Sequence, residues 1–247
     1  MKEILVEGNT LPEAYHKAIL ALHKEGEVTD CGDWNTTQKE ISVTMVVQNP
    51  LEEPMISKLF IGGPRELEQY RLEMLDGILD FEVEKGNWAY TYHQRYADQL
   101  PFVVEELKRN PSSRRAVMLV RDKAADMGSA DPACLQHIQY FIRENKLCAK
   151  ILFRSNDAVK ASFMNAFALI MLQKKVADAL GIEVGQYVHR ANSYHCYEKD
   201  FELLAGYVKR IENDPDNTTV EFVDGWDDIM EEEREGILRD VEILRSR

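Results

Sequence analysis

The sequence predicts an α+β fold with a mainly central sheet. Three observations carry this: β-branched runs that alternate in polarity, apolar residues at helical spacing over long stretches, and strands and helices that follow one another without an internal repeat. Ile4 to Val6 opens as a short strand. Thr10-Leu11-Pro12-Glu13 then reads as a helix start, with Thr10 as N-cap, Pro12 in the first turn where its missing N–H costs nothing, and Glu13 near the positive end of the helix dipole. Leu11, Ala14, Ala18, Leu20 and Leu22 continue the apolar face. Ile41 to Val47 alternates and is rich in β-branched residues, as a strand requires.

Pro64 to Leu79 carries Leu67, Tyr70, Met74 and Leu75 at helical spacing, and Asp98 to Lys108 forms a short helix stopped at Asn110-Pro111, since proline disfavours the helical region for the residue before it. Three β-prone runs, Ala116 to Val120, Leu135 to Ile142 and Lys150 to Phe153, form the middle of the sheet. Ala161 to Leu180 is a deeply buried, alanine-rich helix ended by Gly181 in a left-handed cap. Tyr187 to Tyr197 is a further strand, and Asp227 to Arg247 an amphipathic helix with a solvated charged face.

A chain of 247 residues suits one domain, 1–247, and buries a core without disulfides or structural metal. Its 30 Lys and Arg against 43 Asp and Glu give a net charge of −13, which excludes a generically basic nucleic-acid binder. Cys31, Cys134, Cys148 and Cys196 form no CxxC pair, so neither a zinc ribbon nor a redox dithiol is expected, and no metal. No stretch approaches the ~18 apolar residues of a membrane span, and no basic-then-apolar leader opens the chain. The expected setting is the cytoplasm, with reduced thiols and no membrane partner.

Cys134 is the first candidate for chemistry. A lone cysteine is usually a small buried hydrophobe, but this one lies between Ser113-Arg114-Arg115 upstream and Arg154-Ser155-Asn156-Asp157 downstream, both at strand ends. Arginines near a thiol hold a phosphate dianion by bidentate bonds and favour the thiolate.

With these motifs the chain resembles the thymidylate synthases and their relatives, the pyrimidine nucleotide hydroxymethylases. The resemblance runs without a gap from Asp98 to about Glu198. It rests on Asp98-Gln99-Leu100, Asn110-Pro111-Ser112-Ser113-Arg114-Arg115, Cys134, Gln139-Tyr140-Phe141, Arg154-Ser155-Asn156-Asp157, Phe163-Met164-Asn165, Gly185-Gln186-Tyr187-Val188 and His195-Cys196-Tyr197. Before Asp98 the likeness is faint.

The resemblance implies a mixed central sheet flanked by helices, with one sheet face at a homodimer interface. It implies transfer of one carbon from 5,10-methylene-tetrahydrofolate, or a related reduced pterin, to C5 of a pyrimidine nucleoside monophosphate, with dUMP to dTMP first in line. Cys134 would attack C6, and a covalent intermediate splits one hard step into easier ones. Arg154 and Ser155 would bind the 5′-phosphate, and Arg114 and Arg115 would reach the neighbouring subunit's phosphate, so that two subunits share each site. Asn165 would read the base, His195 and Tyr197 the ribose 3′-hydroxyl, and Asp157 the pterin. Tyr92 would assist proton removal from C5, and Glu73 would organise water near O4.

The sequence departs from the family pattern in places. Leu135 replaces the histidine that commonly follows the cysteine, Phe153 the glutamine before Arg154, and Ser193 an aspartate two before His195. The tryptophan pair flanking the folate is missing. Trp88 is one substitute, whereas Trp34 and Trp226 fall outside the motifs and read as packing residues. Leu244-Arg245-Ser246-Arg247 lacks the family's apolar end. A looser folate cover admits water, which would give hydroxymethyl rather than methyl; a 5-hydroxymethylase acting on dUMP, dCMP or CMP is the alternative enzyme. A nucleotide- or RNA-binding protein without turnover is the alternative outside catalysis.

Overall fold

The computed structural model describes residues 1–221 and 226–247, with the side chains of 226–229 outside that description. The first strand, β1 (Glu3–Gly8), leads into α1 (Leu11–Glu25). Thr10 is the N-cap residue of α1, but its hydroxyl makes no capping bond. The Glu13 carboxylate accepts from the Asn9 N–H instead, at 2.6 Å. An antiparallel pair follows, β2 (Glu27–Cys31) and β3 (Thr36–Val47), joined through a left-handed Asn35. Then come a two-residue β4 (Ile56–Ser57) and α2 (Pro64–Asp76).

Gly77 ends α2 at φ 63°, where a β-carbon would collide with His93 and Asp80, so only glycine fits this turn. The short helices α3 (Phe81–Glu84) and α4 (Tyr92–Tyr96) precede α5 (Leu100–Arg109). Three strands carry the motifs: β5 (Val117–Leu119), then, beyond the single turn α6 (Lys123–Asp126), β6 (Leu135–Arg143) and β7 (Lys146–Asp157). The buried α7 (Ser162–Leu180) ends at a left-handed Gly181 and returns the chain to β8 (Glu183–Tyr197). The chain closes with α8 (Phe201–Asn213), β9 (Thr219–Val220) and α9 (Trp226–Arg245).

Among the described residues the main sheet has seven strands in the order β1-β3-β8-β7-β6-β5, with β2 also on β3. It is mixed, as expected: β1 with β3 and β7 with β8 run parallel, and the other ladders antiparallel. One face is covered by α1 and α7, whose apolar residues form a continuous core with Val43, Ile151, Tyr187 and Ala191. β7 and β8 are longer than the sequence patterns suggested, and burial alternates along most of both.

Outside this core α9 packs on α2. The wholly buried Glu68 carboxylate accepts two bonds from Arg71 and one from Arg234, tying the two helices together. α2 packs on α7 and carries Tyr70 and Glu73, so this tie helps fix them.

Candidate active site

The parallel neighbours β7 and β8 end side by side, pairing Ser155 with Ser193 and Asp157 with His195. On the other side of β8, β3 pairs Glu40 with His195 and Gln38 with Tyr197. Alternation along β8 then presents His195 and Tyr197 on one face, their rings edge to face at 4.7 Å. A cavity of about 840 Å³ lies over these ends, and its wall includes Cys134, Arg154, Ser155, Asp157, Asn165, His195, Tyr197 and Tyr92. Eight of the residues singled out in the sequence therefore converge, from β7, β8, α4, α7 and the loop before β6.

Cys134 is half-buried immediately before β6, beside an irregularity in the β6–β7 ladder between Leu135 and His137. Such bulges re-aim side chains at the ends of sheets. Its carbonyl accepts from the Arg154 N–H at 2.8 Å. The Arg154 side chain holds the same loop, donating from Nε to Ala133 O at 3.2 Å and from Nη2 to Pro132 O at 2.6 Å. Burial pushes the Cys134 thiol up, and the Arg154 guanidinium opposes that without cancelling it. Burial thus works against the thiolate that the flanking arginines favour.

Ser155 Oγ lies 3.3 Å from His195 Nδ1, and His195 Nε2 is buried with no protein partner. Burial lowers the His195 pKa against the opposing Asp157 carboxylate, which favours a neutral ring. Asp157 spends Oδ1 on the Val159 and Lys160 N–H groups, both at 3.0 Å, and so shapes the turn into α7. One turn on, the buried Asn165 accepts a hydrogen bond from the Tyr70 hydroxyl of α2.

Tyr92 opens α4 behind the cap of Thr91, whose hydroxyl donates to Asp80 Oδ1 at 2.5 Å while His93 Nδ1 binds Oδ2 at 2.7 Å. Asp80 thereby fixes the segment that carries Tyr92. Burial and the adjacent Cys134 push the Tyr92 phenol far up, so it acts as a protonated donor.

A second cavity, of about 610 Å³, shares Tyr92 and the 129–131 loop with the first. It is aromatic, lined by Tyr70, Trp88 and Tyr90. Glu73 stands here and not in the Cys134 cavity, with burial raising its pKa against a 2.9 Å bond from Gln69.

Arg114 and Arg115 are exposed on the turn before β5 and line neither cavity. Their loop is set by the buried Ser113, which donates to Glu106 at 2.6 Å and accepts the Arg115 N–H at 3.1 Å. Of the three arginines grouped with the thiol in sequence, only Arg154 adjoins it, because β7 pairs Phe153 with Leu135 at the Cys134 end of β6, whereas the start of β5, just after Arg115, pairs farther along β6 at Gln139.

The structure also adds residues that the motifs missed. Asp33, Trp34, Gln38 and Glu40 come from the β2–β3 hairpin and wall the Cys134 cavity. Trp34 is 62% exposed at the rim, which overturns its reading as a packing residue; Trp226 lies outside the described side chains. The hairpin twists back over the strand ends, a long-range event with no local motif to signal it. Glu40 answers one departure: its carboxylate accepts from Ser193 Oγ at 2.7 Å, so the charge missing from β8 is supplied one strand over.

No His, Cys, Asp and Glu grouping suited to a metal ion occurs among the described residues. None of the described helices is long and apolar enough to cross a membrane.

The fold is that of a thymidylate synthase: the thermostable thymidylate synthase A of Bacillus subtilis superposes with a TM-score of 0.65 at 18% identity, over 81% of this chain and 84% of that one. The family model described as thymidylate synthase matches residues 67–233, so the likeness begins well before Asp98. A Methanocaldococcus jannaschii protein named "Putative thymidylate synthase" is 32% identical over 83% of this chain and 96% of its own length. A thymidylate synthase of Bacillus licheniformis is 30% identical over 58% of this chain and 51% of its own. The chain belongs to the thymidylate synthase family.

Proposed function

We propose that the protein transfers a one-carbon unit to C5 of a pyrimidine nucleoside monophosphate, with dUMP to dTMP as the reaction. The observation that carries this is the thiol of Cys134 and the guanidinium of Arg154 on one cavity wall, with a hydroxyl-binding pair, His195 and Tyr197, on the other. The phosphate binds Arg154 and Ser155, the sugar 3′-hydroxyl fills the orphaned His195 Nε2, and the base lies between Cys134 and Asn165.

Cys134 Sγ adds to C6, and the electron pair of the C5–C6 bond moves to C5 and O4. C5 forms the new carbon bond and its proton leaves through water held by Tyr92; the transferred carbon would then part from the pterin nitrogen and take a hydride in its place, as expulsion of Sγ from C6 restores the ring. Asn165 and water near Glu73 stabilise charge on O4, where fixed donors are worth most.

The aromatic cavity fits the planar pterin: Tyr70, Trp88 and Tyr90 offer ring faces, while Asp157, on the wall of the adjoining Cys134 cavity, offers Oδ2 as an acceptor. When bound, 5,10-methylene-tetrahydrofolate or a related reduced pterin supplies the carbon and the hydride.

Four carboxylates, Asp33, Glu40, Asp131 and Asp157, face one arginine in the cavity. A phosphate dianion needs further cations, and this supports a homodimer in which Arg114 and Arg115 of one single-domain chain complete the partner's site across the sheet face. Cytoplasmic placement fits the free thiols.

Exposure of Trp34 and Trp88 favours a second reading, since both cavities open to solvent and water could capture the one-carbon unit as hydroxymethyl. Incubation with dUMP, dCMP, UMP and CMP plus the reduced folate, read by product mass, tests both. Methylated dUMP with dihydrofolate supports the first, a hydroxymethyl adduct supports the second, and binding without turnover contradicts both.

A further inference from the structure

Arg154, His195 and Tyr197 take their positions from sheet ladders, and Asn165 from the long helix α7. Tyr92 has neither support. It opens α4, a five-residue helix that follows a stretch, 85–91, without helix or strand. A helix that short does not hold itself in water. The Tyr92 phenol nevertheless lies beside the Cys134 thiol and against the Leu135 backbone, on the wall common to both cavities.

The residues around Tyr92 show what keeps it there. Thr91 before it, and His93 and Gln94 after it, all bond to Asp80 on the turn that joins α2 to α3. A carboxylate only accepts, so Thr91 Oγ donates to Oδ1 at 2.5 Å and His93 Nδ1 donates to Oδ2 at 2.7 Å. The Thr91 oxygen also accepts the Gln94 N–H, at 3.1 Å, which leaves its hydrogen for the carboxylate. Gln94 Nε2 adds a bond of 3.1 Å to the Asp80 carbonyl.

The Asp80 and His93 side chains are only 22% and 21% exposed. Asp80 is set in turn by its own N–H, which donates to Gly77 O at 2.9 Å across the left-handed turn. The far end of α4 is tied separately, by Tyr96 to Met74 O and by Arg95 to Asp126. Asp80 therefore governs the end that carries Tyr92, while itself lining neither cavity.

We propose that Asp80 is a positioning residue for proton removal from C5: its carboxylate pins the first turn of α4 so that the Tyr92 phenol stays beside Cys134. The inference rests on the proposed role of Tyr92 in that step. A small rotation of the helix start is magnified at the end of so long a side chain, and a misplacement of about 1 Å costs up to about 100-fold in rate.

The test is the rate of tritium release from 5-tritiated dUMP at saturating nucleotide and reduced folate, for the wild type, Asp80→Ala, Tyr92→Phe and the double variant. Calorimetric dUMP affinity and urea unfolding accompany it, and tritium counting follows even the slow Tyr92→Phe background. Asp80→Ala should slow release about tenfold or more while dUMP affinity stays within about twofold. In the Tyr92→Phe background the same change should slow release by less than about twofold, since the hydroxyl it places is gone. Thr91→Val should reproduce the loss, and Thr91→Ser, which keeps the hydroxyl, should not. A loss of equal size in both backgrounds, a fall in dUMP affinity that matches the fall in rate, or Thr91→Ser as slow as Thr91→Val would overturn the proposal and leave the functional reading standing. No release by the wild type would bring down both. Should Asp80→Ala not fold, Thr91→Val combined with Tyr92→Phe carries the same cycle.

Discussion

The two cavities that meet at Tyr92 are walled in opposite ways. The Cys134 cavity is built on the ends of β3, β7 and β8, whose ladders fix side-chain positions through backbone bonds, and its wall is charged and hydrogen-bonded. The aromatic cavity is built on α2 and the segment before α4, held by side-chain ties such as Thr91 and His93 to Asp80 and Glu68 to Arg234. A covalent step needs atoms held to a few tenths of an ångström, which a sheet provides. Stacking a planar ring tolerates more freedom, which helices and loops allow. The comparison predicts that damage to one cavity spares the function of the other.

The largest effect should come from Cys134→Ser, which leaves nucleotide affinity within a few-fold and removes turnover by about 10⁴-fold or more, measured as dihydrofolate formation. Loss of nucleotide binding in that variant would mean that the thiol serves structure.

Next is Arg154→Ala, which removes a charge-assisted phosphate contact and loosens the 131–133 loop; dUMP affinity should fall about 100-fold. Arg154 also opposes the upward push of burial on the thiol, so its loss raises the thiol pKa further. Alkylation of Cys134 at fixed pH should therefore slow in the variant and recover as the pH is raised. Faster alkylation than in the wild type would contradict the electrostatic account.

Trp88→Ala should raise the KM for the folate about tenfold and leave dUMP binding unchanged, the signature of independent walls. Equal losses for both ligands would break the comparison.

Fold and site were unequally legible in the sequence. Cys134, Arg154, Asn165, His195 and Tyr197 sit in motifs because strand ends and the start of α7 translate spacing directly into place. Tyr70 and the 33–40 hairpin reach the site only through packing between distant elements, and helical periodicity marks Tyr70 merely as one residue of an apolar face. The left-handed Gly181 was readable for a local reason, the end of an apolar helix pattern, whereas the bond from Asn9 to Glu13 in place of a Thr10 cap carries no signal in the sequence.

The smallest effect concerns stability. His189 stacks on Phe153 and bonds Asn156 at the base of the site, while His16 bonds Ser57; burial lowers their pKa values to about 3 and about 4. The unfolded chain binds these protons first, so stability is full above pH 6.5 and falls as the pH drops toward the folded values. The loss is about 1.4 kcal/mol per pH unit for each residue, measurable by urea unfolding at pH 7 and pH 5. His16→Gln should flatten that dependence.

The central claim is that Cys134 bonds to C6 and so makes C5 exchangeable. Tritium release from 5-tritiated dUMP measures this directly. The account predicts release by the wild type and none by Cys134→Ser; release that survives loss of the thiol, or a wild type that binds dUMP and never exchanges its C5 hydrogen, would contradict it.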